Sequence, residues 1–108
     1  MTVLEYLDRA GSSPFAVWFR SLDATAAAKV TTALGRLELG HFSNVKGVGA
    51  GVFEYRIDFG PGYRVYFGKD GDTVVILLAG GTKKRQDKDI ADAHERWADY
   101  KKRKAQEK

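Results

Sequence analysis

The sequence predicts an α+β domain in which an N-terminal strand and a helical hairpin pack on an antiparallel meander sheet, closed by a C-terminal helix. Two observations carry this prediction. Between Val52 and Arg85, three strand-like runs are separated by the turn sequences Gly60-Pro61-Gly62 and Asp70-Gly71. On either side of that stretch, apolar residues recur at the three- and four-residue spacing of one helix face. At 108 residues the chain can hold one core and not two, so residues 1–108 are read as a single domain.

Taken in order, Val3, Glu5 and Leu7 alternate with Leu4, Tyr6 and Asp8, which makes a short first strand ended by Gly11-Ser12. Ser13 reads as a helix N-cap with Pro14 at the first helical position, and Phe15, Trp18, Phe19 and Leu22 form one apolar face. Asp23 caps a second helix, Ala24 to Leu39, with the stripe Ala27, Val30, Leu34, Leu37 and a stop at Gly40. His41 to Gly51 reads as a glycine-containing loop. It is not a dinucleotide turn, because such a turn follows a strand and opens a helix, and this segment does the reverse. Gln86 to about Lys104 reads as a helix with Ile90, His94, Trp97 and Tyr100 inward, and the last few residues read as a frayed basic tail.

The meander repays closer reading. With Gly60-Pro61-Gly62 as the loop, Phe59 pairs with Tyr63, Asp58 with Arg64 and Arg56 with Tyr66. Alternation then places Phe53, Tyr55, Ile57, Phe59, Tyr63, Val65 and Phe67 on one face, and Glu54, Arg56, Asp58, Arg64 and Tyr66 on the other. A two-residue turn at Asp70-Gly71 brings Thr73 to Ala79 alongside. That run is apolar on both faces, hence interior, and floors the arginine face with Val75 and Leu77.

Composition removes several kinds of chemistry. Apolar residues make up 44% of the chain, enough for a packed core rather than a disordered coil. Without cysteine there are no disulfides, thiolate nucleophiles or thiolate zinc sites, which fits a reducing cytoplasm. His41 and His94 are far apart and lack metal-ligand spacing, so no metal and no cofactor are expected. His94 reads as a packed, hydrogen-bonded histidine. Met1 to Arg20 contains no long apolar run, so neither a signal peptide nor a membrane span is expected.

Charge is uneven along the chain. Residues 1–82 hold eight Lys/Arg and eight Asp/Glu, whereas residues 83–108 hold ten against six, so the whole excess of +4 lies in the last quarter. A localised excess of this kind favours an anionic partner, nucleic acid before membrane. The cationic–aromatic set comprises Lys46 before the sheet, Arg56, Arg64 and Tyr66 on its face, and Lys83, Lys84 and Arg85 at its exit. Arginine grips phosphate oxygens bidentately, lysine can transfer protons where neighbouring cations or burial tune it, and tyrosine can stack a base. A ladder of cross-strand ion pairs, Arg64 with Asp58 and Arg56 with Glu54, accounts for the same arginines structurally.

Four fragments in order add a resemblance: Glu54-Tyr55-Arg56, Gly60 to Tyr66 (GPGYRVY), Leu77 to Lys83 (LLAGGTK) and Gln86 to Ile90 (QDKDI). Through them residues 2–100 resemble the RelE/ParE toxin superfamily of bacterial toxin–antitoxin systems, and more closely the HigB-like group of phage-derived addiction-module killer proteins. The resemblance implies a small RelE-like fold and a cytoplasmic, metal-independent endoribonuclease, or mRNA interferase, acting by 2′-hydroxyl transesterification, often on the ribosome. It also implies a helix-turn-helix, HigA-like antitoxin partner, with DNA contacted only through that antitoxin. Residue by residue, Arg64 matches the arginine that contacts the scissile phosphate and Lys46 a lysine acting as base or phosphate ligand. Lys83, Lys84 and Arg85 lie where the second catalytic cation is placed. The alternatives are a ParE-like toxin that inhibits DNA gyrase without catalysis, and a passive nucleic-acid binder.

Overall fold

The computed structural model describes residues 1–107. Strand β1 (Thr2–Glu5) is followed by helices α1 (Pro14–Arg20) and α2 (Ala24–Glu38), and then by strands β2 (Val45–Gly47), β3 (Val52–Ile57), β4 (Tyr63–Asp70) and β5 (Val74–Thr82). A 3-10 turn at Lys83–Arg85 leads into the long helix α3 (Gln86–Gln106). The expected α+β architecture is present. No helix among the described residues is long and apolar enough to cross a membrane.

Both N-terminal helices start where the sequence marks them. The Ser13 hydroxyl accepts from the Ala16 N–H at 3.0 Å, and the Asp23 carboxylate accepts from the Ala26 N–H at 2.8 Å. Helix α2 stops because Gly40 takes φ +78°, which lets the Gly40 and His41 N–H groups turn back to the carbonyls of Leu37 and Arg36.

The five strands form one sheet in the order β1-β5-β4-β3-β2, with β1 parallel to β5 and the other pairs antiparallel. Helices cover both faces. Phe15 of α1 and Val30, Ala33 and Leu37 of α2 pack on Tyr55, Val65, Phe67, Val75 and Leu77. On the opposite face, Ala93 and Trp97 of α3 pack on Tyr6, Val52, Tyr66, Ile76, Leu78 and Ala79.

Several expectations are corrected. The β3–β4 loop spans residues 58–62, so Ile57 opposes Tyr63, Arg56 opposes Arg64 and Glu54 opposes Tyr66. Two extra loop residues shift the pairing by two and leave each residue on its expected face, because side chains alternate with period two. The β4–β5 turn has three residues, with Asp70 opposite Val74. That odd change reverses the faces: Val75 and Leu77 pack beneath α1 and α2, and Ile76 and Leu78 line the arginine face instead. The loop before the sheet contains a short edge strand, β2, and Lys46 lies on it.

Nor is the basic tail frayed as far as Gln106. It continues α3, with Arg103 bonded to the Leu7 carbonyl and Lys104 paired with Asp70. Lys108, also read as tail, lies outside the described residues.

A bulge between Tyr66 and Phe67 explains the paired glycines of β5. Phe67 opposes Leu77, but Tyr66 opposes Ala79, so Leu78 is the extra residue. Past the bulge, Gly80 faces α1 and Gly81 faces α3. A Cβ on Gly80 would overlap the Trp18 ring, and one on Gly81 would overlap the Asp89 carboxylate. Both helices therefore reach the sheet at the end where the cations gather.

Candidate functional site

Cross-strand pairing assembles the site in two rows on the α3 face. One row runs Lys46, Glu54, Tyr66, Ala79; the next runs Arg56, Arg64, Gly81. Directly opposed residues of neighbouring strands project to the same side, so these side chains share one surface.

The centre of that surface is an acid. Glu54 is fully buried, a cost that only pairing can offset. Arg56 Nε donates to its Oε1 at 3.0 Å, Gln86 Nε2 donates to Oε2 at 2.8 Å, and Arg64 Nε lies 3.5 Å from Oε2. Arg64 is held at its far end by the Gly62 carbonyl, 3.4 Å from Nη1. The ladder expected from sequence thus exists in different form, with Glu54 rather than Asp58 as the partner of Arg64. One carboxylate facing two guanidiniums leaves net positive charge. The Arg64 side chain is only 8% exposed, whereas that of Arg56 is 50% exposed, so the first is a nearly buried donor and the second lies at the solvent-facing rim.

Gln86 is the first residue of α3, so its bond to Glu54 ties β3 to the 3-10 turn just before it. Within that turn the Lys83 N–H donates to the Gly62 carbonyl at 2.8 Å. A Cβ placed on Gly62 would meet Arg64 Nη1 at 3.4 Å and Lys83 Cβ at 3.6 Å, so the two cations flank one glycine. Lys83, Lys84 and Arg85 are exposed. Lys46 is exposed as well, but lies two strands from Arg64, or about 10 Å at the usual strand spacing.

Tyr66 departs from its expected role. It is fully buried beneath α3, its hydroxyl lacks a hydrogen-bond partner, and a base cannot stack on it in this conformation. Burial first, then the carboxylates of Glu54 and Asp89, push its hydroxyl well above the usual tyrosine range, with Arg64 opposing, so the phenol stays protonated. His94 is packed as expected, with Nε2 at 2.9 Å from the Val48 carbonyl.

Two residues of this site, Glu54 and Asp89, are not among the site residues that the sequence reading predicts. Nothing local distinguishes Glu54 from a solvent-facing strand acid, since its burial depends on α3 crossing that face. Asp89 did carry a signal: it lies four residues before Ala93 and eight before Trp97, on the inner stripe of α3. It is 8% exposed, and its Oδ2 has no partner. Burial raises its pKa above the ordinary carboxylate value, Arg85 pulls it back, and Asp92 adds a smaller upward push.

The family model described as "Phage derived protein Gp49-like" matches residues 17–107, a span that contains every candidate residue above. The chain belongs to this family. Gp49-like proteins fall within the RelE/HigB-like toxin superfamily. An uncharacterised protein of Haemophilus influenzae is 46% identical over 80 residues, which is 73% of this chain and 81% of the relative.

Proposed function

We propose that this protein is the toxin of a toxin–antitoxin pair and cuts messenger RNA by attack of a 2′-hydroxyl on its neighbouring phosphate. The observation that carries the reading is the Glu54-held Arg64: a nearly buried guanidinium with Lys83 beside it and Arg56 and Lys46 on the same surface. Family membership supports it independently.

In this reaction the 2′-oxygen forms a bond to phosphorus and the bond to the 5′-oxygen breaks, leaving a 2′,3′-cyclic phosphate and a 5′-hydroxyl. Charge accumulates on the non-bridging oxygens of the phosphorane. Arg64, nearly buried beside Glu54 at 3.5 Å and bonded through Nη1 to the Gly62 carbonyl, has a donor left unbonded to receive it. Arg56 adds a second, more exposed donor. The 2′-hydroxyl must lose a proton and the 5′-oxygen must gain one. Lys46 and Lys83, exposed on opposite sides of the Arg56–Arg64 row, are our candidates for those transfers. Lys84 and Arg85 extend the cationic rim along the RNA. The partner is a helix-turn-helix antitoxin that covers this rim.

Incubation of the purified protein with RNA, alone and with translating ribosomes, tests the reaction. New ends bearing 2′,3′-cyclic phosphate are expected, and Arg64→Ala should lose them by at least a hundredfold. A second reading, a non-cleaving RNA binder, is favoured by the burial of Tyr66, which removes the tyrosine from the reaction. It gives salt-dependent binding, intact RNA and no growth arrest. Co-purification with the product of the adjacent gene tests the antitoxin.

A further inference from the structure

A second cationic groove lies around the sheet edge from Arg64, between α2 and the outer end of β3. It has a volume of about 310 Å³, and Lys29, Thr32, Arg36, Asn44 and Arg56 supply its polar lining, with Asp58 as its one acid. Lys29, Thr32 and Arg36 occur at three- and four-residue spacing, so they form one stripe of α2, with the two cations about 10 Å apart along its axis. Both cations are exposed, and neither makes an ion pair among the described residues. Ile57 and Phe59 form an apolar wall, and Lys29 Nζ sits 5.2 Å from the centre of the Phe59 ring. The groove is continuous with the candidate site through Arg56, which lines it while its Nε holds Glu54 on the other face.

We infer that this groove is a second RNA subsite, taking the phosphates and one base of a single strand that passes Arg56 from the Arg64 centre. The inference rests on the RNA-directed reading above. Unpaired cations at a regular spacing suit a phosphodiester chain. The Phe59–Ile57 wall suits a base once Lys29 moves from over the Phe59 ring to a phosphate, and the Asn44 amide and Thr32 hydroxyl can bond the base edge. An acidic peptide would use the cations but not the aromatic wall, so RNA is the better fit.

The test uses the full chain and fluorescein-labelled 2′-O-methyl RNA, which cannot be cleaved, of four and twelve nucleotides, with binding followed by anisotropy across a salt series. The variant Lys29→Gln/Arg36→Gln changes two exposed helical positions, and its circular dichroism and melting temperature should match the wild type. Each single-strand phosphate contact contributes about 0.7 to the slope of log K against log salt, so the variant's slope for the twelve-mer should flatten by about 1.4. Its affinity should fall about tenfold or more, with the four-mer little changed. The charge-reversing Arg36→Glu should lose still more. If the variant matches the wild type on the twelve-mer, the subsite is overturned while cleavage at Arg64 stands. If the slope flattens yet wild-type protein leaves ordinary RNA intact, the subsite stands and the nuclease reading falls. Tighter binding of polyglutamate than of RNA, lost in the variant, overturns the inference in favour of an acidic protein.

Discussion

Helix α3 is tied to the sheet at both ends, and the two ties are built on opposite principles. At its C-terminal end, Tyr6 donates to Asp99 at 2.7 Å and Arg103 pairs with the same carboxylate at 2.7 Å, while Tyr100 donates to Asp70 at 2.6 Å and Lys104 pairs with Asp70. These contacts also shift the ionisation of the groups that make them. The Tyr6 hydrogen bond, with Arg103, holds Asp99 below the usual carboxylate range, and burial together with Asp70 pushes Tyr100 up to about 12. At the N-terminal end, by contrast, charge is buried and incompletely matched. Among the described residues, four buried side-chain polar atoms lack a hydrogen-bond partner, and three lie there: Arg64 Nε, Tyr66 Oη and Asp89 Oδ2, the fourth being Arg103 Nε. Unsatisfied groups persist where the surrounding fold over-determines them, and such places tend to be functional. The C-terminal tie is largely matched charge for charge; the N-terminal one leaves a buried guanidinium only partly satisfied, which the proposed reaction would use.

The largest expected effect comes from breaking the N-terminal tie. Glu54→Leu strands Arg64 in a nearly buried position and releases Gln86, which should cost about 3–5 kcal/mol, read as a lowered urea midpoint. A loss within 1 kcal/mol would show that Glu54 does not organise this end. Next, Gly81→Ala drives a methyl into Asp89 and should cost about 1–3 kcal/mol. Adding Asp89→Ala should return part of that loss, and an additive double mutant would contradict the close packing. At the C-terminal tie, Tyr6→Phe removes one hydrogen bond and should cost only about 1 kcal/mol, with RNA cleavage unchanged. A large loss of activity there would erase the distinction between the two ends.

The smallest effect is the most discriminating, because it differs in sign. Asp89 ionises above its ordinary 3.8 in the folded chain, so its contribution is fully present below that value and declines as pH rises through the folded one. The stability of the wild type relative to Asp89→Asn should therefore fall as pH climbs from about 3 to 6. Asp99 ionises below 3.8, so its contribution is present above that value and lost as pH falls through the lowered one. The wild-type advantage over Asp99→Asn should shrink toward acid pH. Melting temperatures of both variants across that range decide the point, and parallel curves would contradict the contrast.

Local chemistry made much of the fold legible. Ser13, Pro14, Asp23 and Gly40 marked the helix ends, and period-two alternation assigned the faces of β3 and β4 despite a register wrong by two residues. Parity was lost at Asp70-Gly71, where one more turn residue exchanged Val75 and Leu77 for Ile76 and Leu78. No sequence signal distinguishes a two-residue from a three-residue turn at that dipeptide. At the site, the cations Arg56, Arg64, Lys46 and Lys83 could be named from composition and motif. Their organiser Glu54, and the burial of Tyr66, depend on where α3 crosses the sheet. That is a long-range consequence of Trp97, Ala93 and Asp89 packing, and no strand pattern reports it.

On the proposed function, the end of the sheet that carries Arg64 and Glu54 breaks RNA. The most direct measurement is induction of the wild type and of Arg64→Ala in a bacterium, with transcript 5′ ends mapped by primer extension. Growth arrest with new internal ends for the wild type, and neither for Arg64→Ala, is the expected result. Growth arrest by the wild type with its transcripts unchanged would rule out RNA cleavage as its activity.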